Sequence, residues 1–189
     1  MQTIPKREVS ALEMRQSVLG KGHPFVELHS LLNELNGHGV PVVRTSCSPD
    51  RPLIGLVLTQ DARAVIVLSD NHSSPSRMAC DLAHLAGHVF LGHLGRDDAI
   101  GDVTIDWTNR ASCAEREANE FALTLLTGRS VISLNAKFFR DHALADWAHR
   151  QAAKHRISPA IVIQLYARQT GKVPLANRAC KAIESAAIG

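Results

Sequence analysis

Strand-forming sequence is confined to one short stretch of this chain, and that limits the fold more than any other feature. Residues 40–44, 54–59 and 64–69 are brief runs of β-branched and aliphatic side chains separated by turn residues. Gln60-Asp61-Ala62-Arg63 is short enough to join the last two as a hairpin. The flanking sequence reads as helix. Residues 9–19 predict a short helix ended by Gly20 and Gly22, and residues 25–35 repeat apolar side chains at helical spacing before Asn36-Gly37. From Ser74-Pro75 the chain turns helical and stays so, with serine as N-cap and proline at the first position. One helix is expected to about Gly92, then a polar loop over 95–109, then a helix over 112–126 bounded by Gly128. Shorter helices are expected over 130–140, 143–154, 159–168 and 175–186. This order predicts an α+β fold: a small, mainly antiparallel sheet packed against the helix after Ser74, followed by a helical C-terminal part.

The 189 residues suit one domain with a helical appendage. We divide them into an N-terminal leader (1–24), a central domain (25–128) and a helical part (129–189) packed on the same core. Aromatic residues make up 4% of the chain, so the core is expected to be aliphatic and alanine-rich. A formal charge of +3 is too small to imply a nucleic-acid-binding surface. No apolar run reaches transmembrane length, and the polar start with Pro5 lacks a signal-peptide core. Cys47, Cys80, Cys113 and Cys180 lie far apart with no CxxC pair, which reads as reduced thiols and a cytoplasmic location.

Chemistry concentrates in residues 81–93, Asp-Leu-Ala-His-Leu-Ala-Gly-His-Val-Phe-Leu-Gly-His. His84 and His88 stand four residues apart on a predicted helix, so both imidazoles leave one face a turn apart. That spacing lets them share a zinc ion at about 2.0–2.1 Å each. The competing reading is a polar stripe, or a pair hydrogen-bonded within the fold. A third ligand would come from the next helix, which offers Glu115, Glu117 and Glu120. Glu117 is followed at helical spacing by Phe121 and Leu125, which places it on or beside the buried face, whereas Glu115 and Glu120 read as surface charges. A salt bridge from Glu117 to Arg77 or Arg110 is the competing reading. His93 reads as a helix-end histidine. Cys80 and Cys113, each a turn before a candidate ligand, read as packing residues, as do Trp107 and Trp147.

The segment around LAHLAGHVFLGH resembles the metal-binding helix of the ImmA/IrrE zinc metallopeptidases, usually LAHELGHxxLGH. EREANEFALTLL (115–126) is similar to that family's third-ligand helix, and AVIVLSDNHSSPSRMACD to its strand running into the active-site helix. The tail AAKHRISPAIVIQLYARQTGKVP also resembles the helical end of some members. The resemblance implies zinc held by His84, His88 and Glu117. It also implies a role in gene switching through helix-turn-helix repressors, which such proteins cut. One position departs: the family's HExxH glutamate is Leu85 here. Leucine cannot transfer protons, and general acid–base catalysis contributes about 10²–10⁴-fold.

The expected function is therefore that of a catalytically impaired, metallopeptidase-like regulator that binds a protein partner such as a helix-turn-helix repressor. The alternatives are an active zinc endopeptidase with Asp81, one turn before Leu85, as displaced base, and a DNA-binding regulator. In the latter, residues 143–168 form a helix-turn-helix exposing Gln164, Arg168 and Gln169.

Overall fold

A computed structural model describes residues 9–46, 53–61, 63–70, 74–102, 112–132, 134 and 137–186. Along the chain these form α1 (Ala11–Gly20), α2 (Leu28–Gly37), β1 (Val42–Thr45), β2 (Gly55–Gln60), β3 (Arg63–Ser69), α3 (Pro75–Phe90), β4 (Asp98–Asp102), α4 (Cys113–Thr127), α5 (Asp141–His155), α6 (Pro159–Thr170) and α7 (Val173–Ala186). The fold is α+β, as the sequence predicts.

The four strands form one sheet in the order β1-β3-β2-β4. β2 pairs antiparallel with β3 and β4, while β1 lies parallel to β3, so the sheet is mixed. Alternation along β2 and β3 turns Val57, Ala64, Ile66 and Leu68 toward the helices. β4 lies within the expected polar loop. Its sequence, Asp-Ala-Ile-Gly-Asp, has little strand propensity. Pairing with β2 holds it, helped by Thr59, whose hydroxyl donates to the Gly95 carbonyl at 2.9 Å, and by Asp98, whose carboxylate accepts from the Gly95 amide at 3.0 Å.

α3 is the central helix. Every residue from Met78 to Phe90 is buried, because α2, α4, α6 and the sheet all pack on it. Gly87 allows a close backbone approach of α4: a Cβ there would lie 2.8 Å from the Ala118 Cα. α1 is tied to the rest by Arg15. Its guanidinium donates to carbonyls at the end of α4 (Leu126, 2.7 Å) and just past α5 (Arg156, 2.6 Å), capping chain ends that lack helical partners.

The helix expected over 130–140 is not present among the described residues of that stretch. Side chains of α6 occupy its backbone groups instead. The Leu134 amide donates to Gln169 Oε1 at 3.0 Å, the Gln169 amide group donates to the Ile132 carbonyl, and the Phe138 amide donates to the Tyr166 hydroxyl oxygen at 3.2 Å. Trp147 packs beside Phe138 and Tyr166, as expected of a packing residue. Trp107, Cys47 and Arg110 lie outside the described residues. Among the described residues, no helix is long and apolar enough to cross a membrane.

Candidate metal centre

The helical register of α3 turns His84 and His88 toward α4, and both are buried. α4 starts at Ser112, whose hydroxyl accepts from the Glu115 amide at 3.2 Å. That cap places Glu115 in the first turn, where the helix dipole favours a carboxylate. Because Gly87 lets the helices close on Ala118, the Glu115 side chain reaches both histidines. Its Oε2 is 3.2 Å from His84 Nε2, and its Oε1 is 3.3 Å from His88 Nε2. The two Nε2 atoms are 3.1 Å apart.

Neighbouring groups orient both rings. His84 Nδ1 faces Asn119 Oδ1 at 2.9 Å. An amide oxygen only accepts, so this contact suits the tautomer with hydrogen on Nδ1, in which Nε2 is the ligating nitrogen. His88 is fixed through one more residue. His93 Nε2 is 2.9 Å from Glu117 Oε2 and donates to it, leaving His93 Nδ1 to accept from His88 Nδ1 at 3.1 Å. This chain of contacts likewise suits Nε2 of His88 as the ligating nitrogen. Two imidazole nitrogens and a carboxylate thus converge on one point, an arrangement that a cation or a shared proton among them favours.

The donor set and its size both fit zinc. Nitrogen and carboxylate oxygen are zinc ligands, and three protein ligands are usual where a position stays open. Ligands about 2.0–2.1 Å from a tetrahedral metal stand about 3.3 Å from one another. The separations, 3.1 Å between the two Nε2 atoms and 3.2 and 3.3 Å from these to the two oxygens of Glu115, are close to that edge. His84, His88 and Glu115 are also the described group whose donor atoms could hold a metal ion.

Of the residues singled out from the sequence, His84 and His88 come together, and Glu117 is placed differently from the expectation. It is half-exposed and turns to His93, with the Cys113 thiol 3.4 Å from its other oxygen. Glu115, read as a surface charge, takes the position between the histidines. The missed signal is the series Glu115, Ala118, Asn119, Ala122. Small residues at helical spacing mark the close-packed ridge of α4, and Asn119 one turn after Glu115 is the partner that orients His84. His93 is likewise more than a helix end, since it bridges His88 and Glu117.

Asp81 is buried on α3 and ion-paired at 2.7 Å with Arg168 of α6. Its carboxylate is not among the metal-competent donors. Leu85 is fully buried in the main core, its Cδ1 only 2.3 Å from where a Cβ on Gly55 of β2 would stand. Cys80 is buried beside Arg168, and desolvation pushes its thiol up to about 11, so it is not a thiolate ligand near neutral pH. The side chains proposed to read DNA face inward or are engaged: Gln164 is buried, Arg168 holds Asp81, and Gln169 holds the segment before α5.

The model of the IrrE N-terminal-like domain (Peptidase_M78) matches residues 36–164, over half of the chain and including the whole site. Comparison with curated proteins finds no match.

Proposed function

The chain belongs to the IrrE N-terminal-like peptidase family, and on that premise we propose that it holds zinc at His84, His88 and Glu115, is impaired in peptide hydrolysis, and acts by binding a protein partner. The supporting observation is the convergence of three metal-competent donors directly beside a leucine built into the core.

Zinc in such a site polarises a carbonyl and acidifies a bound water. The chain's own residues hold it and set its surroundings: Asn119 and His93 keep the two Nε2 lone pairs inward, and Glu115 supplies the negative charge. The proton shuttle that hydrolysis also requires is absent at position 85. Asp81 is a poor substitute, because its pairing with Arg168 directs it to α6. Loss of a general base costs about 10²–10⁴ in rate. A helix-turn-helix repressor is the partner class to which the family resemblance leads, and holding such a protein without cutting it would be regulation by occupancy.

Three measurements on the purified chain test this reading: zinc by elemental analysis, complex formation with candidate repressors by size-exclusion chromatography, and cleavage by mass spectrometry. The expected result is one zinc per chain and a stable complex with the repressor intact. Efficient cleavage by the wild-type chain, abolished by His84→Ala, would overturn the impaired reading. Failure to take up zinc would overturn the metal centre.

A further inference from the structure

A second site lies at the opposite end of α3 from the histidines. A cavity of about 390 Å³ opens where α2, α3 and α6 begin and α7 passes. Its walls are largely apolar and include Leu28, Ala79 and Ile183. Its polar side chains are Glu27 and His29 at the start of α2, Ser76 at the start of α3 and Ser158 at the start of α6.

Both α3 and α6 have proline at the first position, Pro75 and Pro159. Neither is capped by its serine. Ser74 directs its hydroxyl to that of Ser76 at 2.8 Å, and Ser158 makes no capping hydrogen bond. Among the described residues, the amides of Ser76, Ala160 and Ile161 have no acceptor, and all three residues line the cavity. Ser158 lines it too. It is only 4% exposed, and its hydroxyl has no partner among the described residues. The Ser158 hydroxyl and the amides at two helix starts face one cavity with no acceptor among the described residues, and helix N-termini favour an anion.

We infer that this cavity binds small carboxylates with a branched apolar body. The carboxylate sits at the starts of α3 and α6 within reach of Ser158, and the body lies against Leu28, Ala79 and Ile183. A free acid and the C-terminal residue of a peptide share this chemistry. Glu27 stands exposed on the rim, where its charge opposes the ligand's, so the anion belongs on the floor rather than at the mouth.

The test uses the full chain and two probes, 4-methylpentanoate for a free acid and N-acetyl-leucine for a peptide end, with 4-methylpentanamide as the uncharged control. Binding is followed by isothermal titration calorimetry, and zinc content does not enter the readout. At least one acid should bind, with the amide about tenfold weaker or more, as expected when hydrogen bonds to a charged acceptor are lost. Which acid binds identifies the source. Ser158→Ala should weaken the acid by about tenfold without lowering Tm, since no cap is removed. Ala160→Leu should block the cavity, and Glu27→Gln should tighten binding. No binding of either acid tighter than about 1 mM, equal binding of acid and amide, or unchanged affinity in Ser158→Ala would overturn the site. A fall in Tm in Ser158→Ala would do so as well, because the hydroxyl would then be capping α6.

Discussion

α3 carries buried polar groups on two faces. Toward α6 it presents Asp81, already matched by the Arg168 guanidinium at 2.7 Å. Toward α4 it presents His84 and His88, whose Nε2 atoms meet a carboxylate and each other. Acid meets base on the first face, and the charges are balanced inside the protein. On the second face two imidazoles and a carboxylate crowd together, the grouping that the proposed zinc ion would bridge. Burial and ionisable residues are common to both, so neither identifies a site. What separates them is whether the lone pairs diverge onto donors or converge on a gap.

Removing a ligand should have the largest effect on this contrast. His84→Ala is expected to abolish stoichiometric zinc binding, measured by elemental analysis, and Glu115→Gln should weaken it severely. Glu117→Gln should retain one zinc per chain; if it loses the metal while Glu115→Gln keeps it, the ligand assignment is reversed. On the α6 face, Arg168→Ala should cost about 3–5 kcal/mol in urea unfolding, because it leaves a buried carboxylate without its counter-charge. Zinc stoichiometry at saturating metal should not change there, and a joint loss would show that the two faces are not separable. Leu85→Ala should cost about 2–5 kcal/mol as a core truncation. A negligible cost would mean that position 85 opens into the site. Asn119→Ala, which frees the His84 ring, is expected to lower zinc affinity by about 10–100-fold in a competition titration with a chelator. The smallest contrast is between two thiols. Cys113 is exposed and should react readily with a maleimide at pH 7.5, whereas Cys80, buried with its thiol held up at about 11, should stay unlabelled until the chain unfolds.

Much of this arrangement was legible in the sequence, for local reasons. The spacing of His84 and His88 fixes two rings on one face of any helix that contains them. The strands β1, β2 and β3 announced themselves by aliphatic runs, and the leucine after the first histidine was visible at position 85. The errors fell where partners distant in the chain decide. β4 is a strand only because β2 has an edge to pair with, and Leu134 and Phe138 are not helical because Gln169 and Tyr166 occupy their amides.

The choice between Glu115 and Glu117 shows the same division. Apolar spacing along α4 pointed to Glu117, because Phe121 and Leu125 follow it at four-residue steps. That rule finds a buried face, but α4 has more than one: Phe121 stacks with Phe90, while Leu125 offers its carbonyl to Arg15 of α1. The face that meets the histidines is the narrow one of Ala118 and Ala122, selected by the close approach at Gly87. The sequence by itself determined most of the helices and the paired imidazoles, set by periodicity within one segment, and the leucine at position 85. Which carboxylate lies between the two imidazoles, and that Asp81 is already taken by Arg168, depended on the rotation of one helix against another. No local pattern encodes that angle, because it arises from the packing of both surfaces together.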